Sequence, residues 1–334
     1  MDYLWVFLML FAQLCWVSEI YIDKYLLNQT SKLIRNDSVD DTKQATNSVG
    51  TLVLVSAFFN IVVAGVILAT LALYYGVDGA IAHITFEKGN LFSALSVGVM
   101  EVLWLIPYFY ALHYADEITA PPVFQTIPIF GFALGFFFFE EIPTQIQVIA
   151  GLTILFGSVL LNMELLKEKA EEKGRLTFNW IAVALILLAS FIIALCAFLF
   201  KGTGQEQNYW GTAFWTGIGA FLTGVCIWAC IPNYRKQFAM LIRGRNKKVW
   251  QLNVTNEVVD NIARLTFFGA VMLGPSTALV QSMNAFQPIL LLLFGFVLAR
   301  VGSVQHSQKL TNSVLIRRSI AIMIIAIGTL LIFV

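Results

Sequence analysis

Glu101, Trp104 and Tyr108 are spaced i, i+3 and i+7, so one helical face would carry a carboxyl framed by two aromatic rings. Such a carboxyl suits proton exchange or a cationic ligand, or serves as a hydrogen-bonded structural group. A second constellation gathers Asn256, Glu257, Asp260, Asn261 and Arg264. Asp260 and Arg264 are i, i+4 and spaced to pair, with Glu257 one turn earlier. That face reads equally as the wall of a water-filled cavity or as an internal ion pair locking helices together, and Glu257 also reads as a solvated end residue. Glu19 lies four residues before Asp23. It is inside the bilayer if its helix runs to about Leu27, and interfacial otherwise.

A third group combines the amides Gln125, Gln281, Asn284 and Gln287 with Pro121, Pro122, Pro128 and Pro288. Proline has no N–H and leaves an earlier carbonyl without its helical donor. In lipid such a carbonyl must line a cavity or meet another polar group. The amides either supply that group or contact a ligand. Glu140 and Glu141, followed by Pro143, suit helix capping rather than catalysis.

The sequence holds no Ser/His/Asp grouping, phosphate-cradling glycine loop or metal-ligand spacing in a polar segment. His83, His113 and His306 are far apart, and Cys15, Cys196, Cys226 and Cys230 lie in apolar runs, where they read as small packed hydrophobes. Catalytic residues, metal ligands and cofactors are therefore expected to be absent, and the chain is not expected to be an enzyme. A formal net charge of +1 suggests no nucleic-acid partner.

These groups need elements to hold them. The 334 residues are 58% hydrophobic and 12% charged, with a mean hydropathy of +0.78. Soluble domains draw roughly a quarter of their residues from the charged types. This composition cannot cover a water-facing surface, so lipid is the expected neighbour. Helices of about 20 apolar residues cross a hydrocarbon core of roughly 30 Å. Stretches of that kind occur at 3–22, 52–75, 91–114, 118–139, 144–163, 180–200, 209–231, 254–273, 277–299 and 314–334. Their continuous apolar character excludes barrel strands, which alternate. The first segment lacks the basic flank and small-residue cleavage site of a secretory signal and is expected to stay as a helix. Polar connectors are expected at 23–50, 164–177, 232–253 and 300–313, with 36–48 a mobile surface loop.

With ten helices, the connectors alternate between two sides. Odd-numbered connectors hold 18 Lys and Arg; even-numbered ones hold Lys88 and Lys201. Cytoplasmic loops are the basic ones. That places odd connectors in the cytoplasm and both termini on the non-cytoplasmic side, in a plasma (inner) membrane.

Sliding the chain by 160 residues sets Phe124 to Phe132 beside Asn284 to Leu292, with Pro128 against Pro288, and sets Glu101 against Asn261. A further match, after an insertion, sets Gly157 against Gly328. Five helices per half is odd, so the halves, 3–163 and 178–334, insert with opposite topology. The expected fold is an all-α integral membrane protein of ten transmembrane helices, two inverted five-helix repeats around a central cavity.

The segments from Tyr108 to Ala120, Ile127-Pro128-Ile129-Phe130, Phe139-Glu140-Glu141, and Ile149 through Gly157 resemble the EamA repeat of the drug/metabolite transporter superfamily. The second half is similar around Phe267 to Leu279, Pro288 and Gly328. The resemblance implies an EamA-type permease: ten helices, inverted halves, a central cavity and alternating access. Two features depart from it. Many members have basic residues after the second helix and cytoplasmic termini, whereas here the second loop holds only Lys88. Arg300 stands where a second Glu140 would.

The expected function is a secondary transporter of a small organic solute, driven by exchange or an ion gradient, with protons as the coupling ion and membrane lipids as surroundings. Glu101, Trp104, Tyr108, Gln125, Glu257, Asp260, Arg264, Gln281, Asn284 and Glu19 are the expected substrate or coupling-ion residues. The alternatives are a membrane-embedded enzyme or a non-transporting scaffold or receptor.

Overall fold

The computed structural model describes residues 3–34, 41–114, 123–139, 141, 144–173, 180–243, 247–287, 289–291, 293 and 312–331. Every regular element among them is helical. In chain order these are α1 (Leu4–Ile34), α2 (Asp41–Ile84), α3 (Lys88–Leu103), α4 (Leu105–Tyr114), α5 (Ile127–Phe138) and α6 (Gln145–Lys173). There follow α7 (Trp180–Glu206), α8 (Tyr209–Cys230), α9 (Pro232–Arg243), α10 (Lys247–Leu273), α11 (Thr277–Ser282) and α12 (Asn312–Leu331). A short 3-10 turn, Met283–Phe286, follows α11.

Among the described residues, four helices are long and apolar enough to cross a membrane: Val49–Ile84, Lys88–Leu112, Trp180–Glu206 and Tyr209–Cys230. Shorter apolar helices run over Leu4–Ile20, Ile127–Phe138, Gln145–Leu160 and Ser319–Leu331. The chain is an integral membrane protein.

Several helices overrun the apolar stretches that announce them. Helix propagation adds one hydrogen bond per residue fixed once a nucleus exists, so a ladder continues cheaply into polar sequence. Thus α1 and α6 extend to Ile34 and Lys173, and α10 starts at Lys247. Residues 41–48, expected to be mobile loop, are the first turns of α2. The polar segment after α8 is helical too. In α9, Tyr234, Gln237 and Leu241 are buried at spacings of three and four, and Arg235, Lys236 and Arg243 stay exposed.

Breaks have local causes. The α2 ladder kinks at Gly76, whose φ of +77° suits a residue without Cβ. The apolar stretch 91–114 divides at Trp104, three residues before Pro107, which cannot supply the N–H for the Leu103 carbonyl. Similarly, the apolar stretch expected to continue to Ala299 gives up α-geometry at Met283, ahead of Pro288. At the start of α6, Thr144 Oγ1 accepts from Gln147 N at 3.3 Å and Gln147 Oε1 accepts from Thr144 N at 3.0 Å. This is a reciprocal cap.

The helices pack in a definite pattern. α1 lies along α10, α2 along α8, α6 along α12, and α7 against both α3 and α4. α5 packs against α7 and α11. The α6–α12 seam is tight at two glycines. A Cβ on Gly157 would come within 3.0 Å of the Ala321 carbonyl, and one on Gly328 within 3.0 Å of the Ala150 carbonyl. Small residues let membrane helices approach backbone to backbone.

Candidate functional site

Between these helices lies a cleft enclosing about 1140 Å³ of non-atom space, its open mouth included. α1 contributes Trp16, Glu19, Ile20 and Asp23 at i, i+3, i+4 and i+7, one continuous face. From α3 and α4 come Glu101, Trp104, Tyr108 and Leu112, which stay on one side despite the break at Trp104. Asp260, Arg264 and Phe267 project from α10. Phe124, Ile127, Ile193, Asn284 and Gln287 complete the wall.

Arg264 does not pair with Asp260, as their spacing suggests. Its Nη1 donates to Glu101 Oε2 at 3.3 Å, and its Nη2 donates to Asn60 Oδ1 and to Asn261 Oδ1. Both amides are oriented by backbone. Asn60 Nδ2 donates to the Ser56 carbonyl at 2.9 Å, and Asn261 Nδ2 to the Glu257 carbonyl at 2.8 Å. With each NH2 so engaged, each amide oxygen is turned toward the guanidinium. A side chain at i+4 is reachable, but a carboxylate and two fixed oxygens from three helices satisfy more of the planar donor fork.

The other acids of the cleft make no ion pair within 4 Å among the described residues, although the charge of Arg264 reaches Asp260 and Glu19. Asp23 is 3% exposed; its Oδ1 accepts from Asn256 Nδ2 at 2.9 Å and its Oδ2 from Tyr108 Oη at 3.3 Å. Asp260 accepts from Trp16 Nε1 at 3.4 Å. Glu19, half-buried on the wall, has no hydrogen bond or ion pair among the described residues.

Three expected site residues sit elsewhere or do other work. Gln281 is fully buried off the cleft, donating to the Ala194 carbonyl at 3.3 Å; Gly131 makes room for it, since a Cβ there would collide with Gln281 Oε1. Glu257 is not solvated but buried beside α2, also off the cleft wall. Gln125, equally buried, donates through Nε2 to the Asn284 carbonyl at 3.4 Å. That carbonyl is the one Pro288, lacking an N–H, cannot serve; Gln287 N donates to it and Gln125 adds a second, longer contact. Pro121, Pro122, Pro288, Glu140, Pro143 and Arg300 lie outside the described residues.

Sequence spacing misses Asp23, Trp16 and Asn60 as members of the site. The apolar stretch ends at Ile22, which puts Asp23 in a connector. Trp16 and Glu19 are its signal, being two turns and one turn earlier on the same face. Asn60 is a lone amide in an apolar run, a polar group in need of a partner.

A second ion pair stands away from the cleft. Lys201, expected in a connector, is a buried member of α7; its Nζ donates to Glu141 Oε1 at 2.8 Å. Glu141 also accepts from Thr277 N at 2.7 Å and Thr277 Oγ1 at 2.8 Å, which caps α11 rather than its own helix. Nearby, Phe139 stacks on Phe198 with centroids 4.8 Å apart. The cysteines also divide: Cys196 is buried, while Cys226 and Cys230 are exposed on α8 rather than packed. Their soft, weakly polar thiols suit an apolar surrounding.

Residues 42–163 match the EamA-like transporter family. This part of the chain is similar to EamA-type transporters. The match runs from the first turn of α2 through the apolar part of α6 and supports the drug/metabolite transporter superfamily, a group of transporters of small solutes rather than enzymes. No curated protein matches this chain in sequence. A solved crystal structure of a protein aligns over 97% of this chain and 94% of its own, with a TM-score of 0.60 and 16% identity. At that identity the likeness concerns the fold alone.

Proposed function

We propose that the chain is a secondary carrier that moves a small organic solute by alternating access, its ten helices forming two oppositely inserted halves, 3–163 and 178–334. The observation that carries this reading is the cleft itself, where charged groups from three packed helical segments face one another at membrane depth. Ionisable groups cost about 2.5–3.5 kcal/mol each to insert, and a hydrated passage is a reason to keep them.

The packing supports two related halves. If the first to fifth helices correspond to the sixth to tenth, the pairing of α1 with α10 corresponds to that of α7 with α3 and α4. The pairs α2–α8, α5–α11 and α6–α12 then correspond to themselves. Gly157 and Gly328, matched in the repeat, each fit against the other's helix. Such inverted repeats build midplane sites in many carriers.

The heights of the side chains support alternating access. By position along their helices, the wall residues Asp23, Leu112 and Phe124 lie toward the odd-numbered connections. Glu141, Lys201 and Thr277 join three elements at the even-numbered connections. This arrangement fits a carrier open on one side and tied shut on the other. By the charge rule the open side is cytoplasmic and the termini are outside. With Lys201 inside a helix, Lys88 is the even-side basic residue left of that pair. Glu101 or the acids opposite it would carry the coupling proton.

The test is flux. Purified protein in liposomes, challenged with amino acids, nucleosides, sugars and organic ions, should give saturable counterflow for one class. Folded protein that exchanges none of them across the bilayer would leave a receptor or scaffold as the reading. Within the carrier, Glu101→Gln with unchanged uptake and unchanged pH dependence would remove Glu101 from coupling.

A further inference from the structure

The sign of the charge in the cleft decides which solutes it accepts. Arg264 is the cation of the wall, and its donors already meet Glu101, Asn60 and Asn261. An anionic solute would have to displace a carboxylate and two amide oxygens that backbone contacts hold in place. Glu101 is likewise spent on Arg264.

What remains is Glu19, Asp23 and Asp260, three carboxyls on the facing helices α1 and α10 whose described partners are neutral donors or none. Around them stand Trp16, Trp104, Tyr108, Phe124 and Phe267. Indole and phenol faces attract a desolvated cation through their quadrupoles, as carboxylates do through charge. Trp16 serves both roles, since its Nε1 holds Asp260 while its ring lies on the wall. We propose that the solute of this cleft is an organic cation with an apolar body, its charge held between Glu19 and Asp260 and its body against the aromatic wall. The assignment names the substrate class of the carrier proposed above and rests on that reading for transport, though not for binding.

Three small probes with a benzene ring separate charge from shape: phenyltrimethylammonium, benzyl alcohol and benzenesulfonate. Trp16 and Trp104 provide an intrinsic fluorescence signal for titration of the full-length protein in detergent. Phenyltrimethylammonium should saturate the signal at concentrations where the alcohol and the sulfonate leave it unchanged. Glu19→Gln breaks no hydrogen bond among the described residues, so the variant should fold normally, and its affinity for the cation should fall at least about tenfold. Asp260→Asn should show the same direction, and Trp16→Phe a smaller loss. Sulfonate or alcohol binding better than the ammonium, no saturable signal from any of the three, or equal ammonium affinity in wild type and Glu19→Gln would each overturn the assignment. Liposome flux separates the two readings: a cation that binds with this dependence but never crosses defeats the carrier and leaves the cation site standing. Counterflow confined to an anion or a neutral solute defeats the cation site and leaves the carrier.

Discussion

Arg264–Glu101 and Lys201–Glu141 are two ion pairs of nearly equal burial in one bundle, with side-chain exposures of 10% and 11% against 9% and 19%. Burial does not distinguish them; their neighbours do. The arginine is surrounded by acceptors from α2, α3 and α10, and its planar fork fixes the separation of three helices. The lysine offers a point charge to a carboxylate that also receives the first N–H and the hydroxyl of α11. One pair lies open to a cleft whose further acids make no ion pair among the described residues; the other closes a junction beside stacked phenylalanines. A permanent charge beside a solute site must be tied firmly or it would invite the wrong solute. In the carrier proposed above, a closure that opens in every cycle could rest on a flexible stem.

The comparison predicts that Arg264→Met has the largest effect on stability. It leaves Glu101 buried without its cation and two amide oxygens without a donor, a loss on the order of 3–5 kcal/mol. Thermal unfolding in detergent measures it. The double variant Arg264→Met with Glu101→Met should recover most of the loss, because the penalty belongs to the orphaned charge. Additive losses in that cycle would show that the two residues do not act as a pair.

Glu141→Gln should cost less, about 1–2 kcal/mol, since the amide oxygen can still accept from Thr277 while the lysine loses its counter-charge. The sharper readout is kinetic. A weakened closure should alter counterflow rate with little change in cation affinity, whereas Arg264→Met should damage binding and stability together. Equal effects of the two variants on affinity would erase the distinction drawn between the pairs.

Much of this architecture is legible in the residues alone. Continuous apolar stretches announce the helices and the membrane, and the spacings of Glu101, Trp104 and Tyr108 place them on one face that lines the cleft. What spacing cannot reveal is which of several reachable partners a side chain takes. Asp260 is the near neighbour of Arg264 in sequence, and Glu101, 163 residues away, is the partner in space. Asp23 is hidden for a different reason. Hydropathy marks where lipid contact ends, while the hydrogen-bond ladder of α1 continues to Ile34 and keeps later polar residues on the same face. Lys201 shows the reverse error, a charge that reads as a connector residue and that the half-buried Glu141 carboxylate holds in the helix bundle.

The smallest expected effect concerns an amide whose type and neighbourhood suit a ligand contact. Gln125 Nε2 lies 3.4 Å from the Asn284 carbonyl, long for a hydrogen bond, and that oxygen also accepts from Gln287 N. Removing a weak second donor leaves the carbonyl partly satisfied, so Gln125→Leu should cost about 1 kcal/mol or less. Its effect on ligand affinity should be nil, because Gln125 is not on the cleft wall. Glu19→Gln should behave in the opposite way, with little change in unfolding temperature and a clear loss of binding. If Gln125→Leu instead weakened ligand binding as much as Glu19→Gln, the polar groups that serve proline-broken backbone and those that serve solute could not be told apart by their position relative to the cleft. The solute would then have to reach past the cleft wall, deeper between α5 and the turn after α11.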